Sequence, residues 1–148
     1  MKYSSVDILL VEDNPFEAEL AIRSLKKYNF ANNLHHIDDG IEALDFILGR
    51  GQYQDIHAVS RPKLILLDIK LPKVDGIQIL REIKADERTK TIPVVILTSS
   101  QENMDIKTCY ELGANSYIVK PVDFDSFSKA VAELGMYWML LNNPPDNK

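Results

Sequence analysis

The chain has 148 residues, 45% apolar and 26% charged, with 17 Lys and Arg against 22 Asp and Glu and a net charge of −5. That is one domain's length, enough to bury roughly 70% of the unfolded surface without cross-links, and the single cysteine, Cys109, excludes an internal disulfide or a multi-thiolate zinc cluster. No apolar run approaches the 18 or so residues of a membrane span, and the acidic balance disfavours non-specific nucleic-acid binding, which requires phosphates to be neutralised.

In chain order, residues 1–7 lack the apolar stretch of a secretory signal, so a reduced, cytoplasmic compartment is expected. Ile8-Leu9-Leu10-Val11 is wholly apolar, as suits a strand buried on both faces. Asn14-Pro15-Phe16-Glu17 reads as a helix N-cap, a proline at N1 and a glutamate at N3, and Ala18, Ala21, Ile22 and Leu25 come after it at helical spacing. Leu34-His35-His36-Ile37 is a weaker run that predicts an edge strand. Ile41, Leu44, Ile47 and Leu48 give a second helical stripe, and residues 49–61 form a long connection for a compact domain. Leu64-Ile65-Leu66-Leu67 and Val94-Val95-Ile96-Leu97 repeat the buried-strand signature. Between them Ile77, Leu80 and Ile83 give a third helix, with Gly76 before it. Residues 101–112 predict a weaker fourth helix stopped by Gly113. Ser116-Tyr117-Ile118-Val119 predicts the other edge strand. In the last helix Phe124, Phe127, Val131, Leu134, Trp138 and Leu141 recur by threes and fours behind Asp123 as N-cap, and residues 142–148 read as a frayed tail.

The order βαβαβαβαβα predicts an α/β fold, a doubly wound parallel sheet with helices on both faces. One domain is expected over residues 1–148, with its core at about 5–141. In such sheets ligands sit beyond the carboxyl ends of the strands. Glu12-Asp13 follows the first run, Asp68 the third, Thr98-Ser99-Ser100 the fourth and Lys120-Pro121 the fifth. Three carboxylates, a hydroxyl and an ammonium therefore converge on one mouth. Carboxylates so placed repel one another unless a cation joins them, and oxygen-only donors suit Mg²⁺ better than zinc. Positive centres around Asp68 suit phosphoryl transfer, with the aspartate as nucleophile forming an acyl phosphate. Taken singly, Asp13 reads as a cap or turn residue, Lys120 as a surface charge and Thr98 as a hydroxyl bonded to backbone. Their joint position at the right ends of an independently read sheet favours the site. His35, His36 and His57 lack metal-site spacing and read as structural, and Cys109 reads as a small helix-face residue.

Val11-Glu12-Asp13-Asn14, Leu67-Asp68-Ile69-Lys70-Leu71-Pro72 with Asp75-Gly76, Leu97-Thr98-Ser99 and Tyr117-Ile118-Val119-Lys120-Pro121 together resemble the receiver domain of bacterial two-component response regulators, over about residues 5–134. The resemblance implies a flavodoxin-like (βα)5 fold with strand order 2-1-3-4-5, and a phosphoacceptor signalling protein rather than an enzyme acting on a separate substrate. It implies that Asp68 takes a phosphoryl group from a phosphohistidine of a sensor histidine kinase or a histidine phosphotransfer protein. It further implies that Glu12, Asp13, Asp68 and the backbone carbonyl of Lys70 hold Mg²⁺, and that Thr98 and Lys120 bind phosphoryl oxygens. Tyr117 matches the switch aromatic, which phosphorylation is expected to turn inward, and the Lys120–Pro121 peptide is expected to be cis. The long connection at residues 49–61, Asp86-Glu87 through Lys90-Thr91-Ile92-Pro93-Val94-Val95, and Tyr137-Trp138-Met139-Leu140-Leu141-Asn142 resemble the single-domain receivers that serve bacterial phytochromes. That implies a phytochrome-like kinase as partner. Lys70 departs from the pattern, standing where Asn or Met is frequent.

Rival readings are weaker. A pseudo-receiver would not need Asp13, Asp68, Thr98 and Lys120 together. A haloacid-dehalogenase-type phosphatase needs a second Asp where Lys70 stands. A dinucleotide-binding enzyme needs a Gly-x-Gly-x-x-Gly after the first strand. Five α/β units use the whole chain, leaving no room for a DNA-binding region. Met136, Tyr137, Met139 and Leu140 lie off the stripe of the last helix, so its final turns are apolar nearly all round. Such a helix is normally buried on every side, which predicts a homodimer, or a kinase contact, through that helix, the alternative being cover by the connection at 49–61 or by the tail.

Overall fold

The computed structural model describes residues 6–27, 33–53, 62–120 and 123–143. Strands β1 (Ile8–Val11), β2 (Leu34–Ile37), β3 (Leu64–Leu67), β4 (Val94–Thr98) and β5 (Ser116–Val119) alternate with helices α1 (Pro15–Lys27), α2 (Gly40–Leu48), α3 (Gly76–Ala85), α4 (Asn103–Leu112) and α5 (Phe124–Met136). A single 3-10 turn (Gly51–Tyr53) follows α2, and α5 runs into a π-helical turn (Tyr137–Leu141). All strand pairings are parallel, in the order β2-β1-β3-β4-β5. This is the flavodoxin-like receiver topology expected, with β2 and β5 as the edges. Among the described residues no helix is long and apolar enough to cross a membrane.

The wholly apolar strands are explained by the two layers they separate. Successive side chains of a strand point to opposite faces. Leu9, Val11, Ile65, Leu67, Val94 and Ile96 enter one core with Ala43, Leu44 and Ile47 of α2, Ile79, Leu80 and Ile83 of α3, and Cys109 of α4. Ile8, Leu10, Leu64, Leu66, Val95 and Leu97 enter the other with Ala18, Ala21 and Leu25 of α1 and Phe127, Val131, Leu134 and Trp138. Each large aliphatic side chain fully buried in this way contributes about 1.5–3 kcal/mol relative to leaving it in water. Within the second layer α1 and α5 are also joined by a hydrogen bond between the Ser24 and Ser128 hydroxyls at 2.8 Å.

Two stripe assignments are corrected. Ile41 is 47% exposed, and the buried face of α2 includes Phe46 instead. Asp39 accepts the N–H groups of Ile41 and Glu42 and fixes the helix start. Gly40 is pressed so closely on the loop before α3 that a Cβ there would lie 2.5 Å from the Val74 carbonyl. At the other end of the chain Leu141 is 67% exposed, while Met139 packs against the α1–α5 layer. The cause is the π-helical turn: the Asn142 N–H donates to the Tyr137 carbonyl at 2.7 Å, an i→i+5 bond that widens the turn and rotates its last residues away from the regular helical stripe. The side chain of Phe124 lies outside the described residues.

Candidate functional site

Strand register sets the site. Val11 is paired with Leu67, Leu67 with Ile96, and Thr98 with Val119. The ladder runs one residue beyond each strand: Glu12 N–H donates to the Ile37 carbonyl (3.1 Å), Asp68 N–H to the Val11 carbonyl (3.1 Å) and Lys120 N–H to the Thr98 carbonyl (2.7 Å). Glu12, Asp68 and Lys120 therefore project from a fixed backbone at the carboxyl edge. The start of α3 closes the floor. A Cβ on Gly76 would lie 2.3 Å from the Asp68 carbonyl oxygen and 2.6 Å from the Ile69 Cα, so only glycine permits this approach.

Lys120 is the hub, its side chain 7% exposed. Its ammonium donates to Glu12 Oε1 at 2.6 Å, to Asp68 Oδ2 at 2.9 Å and to Glu17 Oε1. The second oxygen of Glu12 accepts the Asn14 N–H (3.0 Å), and Asp68 Oδ1 accepts the Lys70 N–H (3.1 Å). Burial pushes the Glu12 carboxyl up to about 7, against the opposing pull of Lys120. Burial also acts to lower the Lys120 ammonium, but its hydrogen bonds to Glu12, Glu17 and Asp68 outweigh that, and its pKa is raised above the ordinary lysine range. The ammonium therefore stays charged, and one positive charge faces three carboxyl groups.

Of the residues singled out in the sequence, Glu12, Asp68 and Lys120 are in mutual contact. Asp13 is exposed at the mouth, outside the group of Glu12, Glu17 and Asp68 whose oxygens lie within 4.8 Å of one another. Thr98 is fully buried and its Oγ1 accepts the Ser100 N–H at 3.5 Å. Tyr117 packs against the α2–α4 core, and its hydroxyl donates to the Ser100 carbonyl at 3.0 Å, so the ring is already partly inward. The Lys70 side chain turns to Asp105 of α4. Pro121, and with it the expected cis peptide, lies outside the described residues.

Sequence reasoning missed Glu17 and Asp105. Glu17 carries the ordinary signature of a helix first turn. Asn14 Oδ1 does accept the Glu17 N–H, at 3.0 Å, as an N-cap should, yet the Glu17 carboxylate leaves the helix for Lys120. His35 and His36 behave as structural groups: His36 Nε2 is 2.8 Å from the Glu12 carbonyl, and the His35 ring lies 4.9 Å from that of Phe46; His57 lies outside the described residues.

Carboxylates of this density, with an ammonium and a buried hydroxyl, can bind a hard divalent cation and neutralise phosphoryl oxygens around Asp68. Comparison with known proteins agrees. The response regulator receiver domain family matches residues 8–132. The probable methanogenesis regulatory protein FilR2 of Methanothrix harundinacea is 38% identical over 93% of this chain and 86% of its own. Response regulator Rcp1 of Synechocystis is 38% identical over 89% of this chain and 88% of its own. The crystal structure of the Mn(2+)-bound form of Rcp1 superposes with a TM-score of 0.88 at 36% identity, covering 95% of this chain and 99% of that one. That of the phosphorylated cyanobacterial phytochrome response regulator RcpA gives 0.89 at 35% identity, covering 96% and 99%.

Proposed function

The chain belongs to the response regulator receiver domain family, and on that premise we propose that it is a stand-alone response regulator whose Asp68 accepts a phosphoryl group from the phosphohistidine of a sensor histidine kinase or a histidine phosphotransfer protein. The observation that carries this is the buried Asp68 carboxylate at the carboxyl edge of the sheet, 2.9 Å from the Lys120 ammonium. An Asp68 oxygen attacks phosphorus. The P–N bond to the donor imidazole breaks with its electron pair left on nitrogen, and an acyl phosphate forms. Water attack on phosphorus later breaks the P–O bond to Asp68 and releases inorganic phosphate.

Lys120 holds its charge beside the attacking oxygen, and Thr98 supplies a hydroxyl from the end of β4. The donor set fits a divalent cation, because one ammonium leaves the converging carboxyl oxygens under-compensated and all the donors are oxygen. Glu12, Asp13, Asp68 and the Lys70 backbone carbonyl would hold Mg²⁺, which supplies neutralisation of the phosphoryl oxygens. The new negative charge on Asp68 draws on Thr98 and, through Ser100, on Tyr117, biasing the face formed by α4, β5 and α5.

The likeness to RcpA supports a phytochrome-like kinase as the phosphodonor. The exposed apolar turns after α5 support a homodimer as the signalling form. The test is incubation with acetyl phosphate and Mg²⁺. One phosphoryl group per chain, labile to alkali and to hydroxylamine as an acyl phosphate is, is expected, and Asp68→Asn abolishes it with circular dichroism unchanged. Full labelling of Asp68→Asn would move the phosphosite elsewhere.

A further inference from the structure

An ammonium has three N–H donors, and in Lys120 each meets a carboxylate, on Glu12, Glu17 and Asp68. None remains for an incoming phosphoryl oxygen. One of the three bonds must be exchanged before Lys120 can engage the group transferred to Asp68. We infer that Glu17 is the partner exchanged: it is a positioning residue that parks Lys120 and competes with the phosphoryl group for its ammonium.

The three carboxylates are not equivalent. The side chains of Glu12 and Asp68 are 5% and 8% exposed, that of Glu17 is 35% exposed. Glu12 is further pinned through its second oxygen by the Asn14 N–H, and Asp68 by the Lys70 N–H. Both stand at the ends of central strands, where the backbone is fixed from both sides. Glu17 stands in the first turn of α1 with a water-facing path, so its carboxylate can be solvated when released. The helix does not need that carboxylate as a cap, because Asn14 performs the capping. A charge-neutral side chain at position 17 therefore leaves α1 formed while it weakens the hold on Lys120. Loss of a negative charge beside the reacting group also favours approach of an anionic phosphodonor.

This inference rests on the phosphoacceptor reading of Asp68, and the experiment separates the two. Initial rates of labelling by limiting acetyl phosphate at saturating Mg²⁺ are compared for the full chain, Glu17→Gln, Glu17→Ala and Glu19→Gln. Mg²⁺ affinity is measured on each by calorimetry, and folding by thermal melts. Glu19 is on the same helix, exposed and paired with Arg23, so its variant changes net charge equally without touching Lys120. Because a partly exposed ion pair is worth little, the expected acceleration is modest: about two- to fivefold for Glu17→Gln, and greater for Glu17→Ala, which removes the acceptor altogether. Glu19→Gln should match the parent, and Mg²⁺ affinity should stay within about twofold throughout, a split that a purely structural role for Glu17 would not produce. Slower labelling together with weakened Mg²⁺ binding would make Glu17 a metal ligand and overturn the proposal. So would equal acceleration in Glu19→Gln, or no acceleration in either Glu17 variant. Absence of labelling in the parent chain would instead overturn the reading of Asp68, and the role of Glu17 would fall with it.

Discussion

Lys70 Nζ lies 3.7 Å from Asp105 Oδ2, so the side chain two residues beyond Asp68 is turned onto the first turn of α4 rather than onto the carboxylate beside it. The same Asp105 oxygen accepts the Ser100 hydroxyl at 2.6 Å, and the Ser100 carbonyl accepts the Tyr117 hydroxyl at 3.0 Å. Ser100 N–H faces Thr98 Oγ1 at 3.5 Å. A continuous line of polar contacts thus joins the rim of the site to both residues of the proposed switch.

The first prediction tests that line. Asp105→Asn keeps the shape of the side chain but removes the charge that holds Lys70. Stability should change by less than about 1 kcal/mol, because the Lys70 end of the pair is exposed. Amide NMR signals should nevertheless move at Ser100 and Tyr117 as well as around positions 70 and 105. Shifts confined to 70 and 105 would show that the contacts do not transmit.

Asp13 supplies the second prediction. It is exposed at the mouth and makes no part of the Lys120 cluster, so its charge is available to a cation at little structural cost. Asp13→Ala should weaken Mg²⁺ binding about tenfold or more, equivalent to about 1.4 kcal/mol, slow labelling by acetyl phosphate, and leave the melting temperature unchanged. Unaltered affinity and rate would remove Asp13 from the metal site.

The strands were legible because the central runs 8–11, 64–67 and 94–97 are wholly apolar, a pattern that suits a sheet covered on both faces, whereas their order was implied by the resemblance of the strand-end motifs to receiver domains. The site was legible for the same reason: once the strand ends are known, Glu12, Asp68, Thr98 and Lys120 must share one edge. Glu17 was not legible, since a glutamate in a helix first turn has a sufficient local reason to be there. Nor was the direction of Lys70, which depends on Asp105, a residue 35 positions away. Leu141 was misplaced because helical spacing assumes a constant turn, and the widened turn after α5 is set by hydrogen bonding that residue type does not reveal.

Cys109 gives a prediction about pH. Burial pushes its thiol up to about 11, with Asp105 and Asp75 adding to the shift. At pH 8 roughly one thiol in a thousand is then ionised, and the thiolate is the reactive form. Disulfide-exchange reagents should react with the native chain at least about a hundredfold more slowly than with the chain in urea. The sign of the linked stability effect is set by the same shift. Between the unfolded value near 9 and the folded value the native state binds more protons, so stability declines as pH rises through that window. Replacement by Ala should flatten this part of the decline. Rapid native-state modification at pH 8 would contradict the buried placement.

The final prediction concerns the turns after α5. Met136, Tyr137, Leu140 and Leu141 are 46%, 50%, 66% and 67% exposed, while Trp138 between them is buried and packs edge-on to the Tyr137 ring at 5.0 Å. The π-helical turn is what places Leu140 and Leu141 side by side on the outside, where a regular helix would have returned one of them to the core. This apolar surface borders a groove of about 690 Å³ that reaches β5 through Asn115, Ser116 and Ile118 and is walled by Tyr137 and Trp138. Exposed apolar side chains gathered at the end of one helix are unfavourable in water and favour association. A second copy is the simplest occupant, because a two-fold axis brings the same patch onto itself. In such a contact every substitution occurs twice, so two glutamates per chain place four uncompensated carboxylates in one interface. Light scattering at micromolar concentration should therefore report a dimer for the parent chain and a monomer for Tyr137→Glu/Leu140→Glu, with the monomeric variant still labelled on Asp68. A parent chain that is monomeric both with and without phosphoryl would eliminate the dimer. Retention of full kinase binding by the double variant would then also exclude the kinase as the partner of this surface.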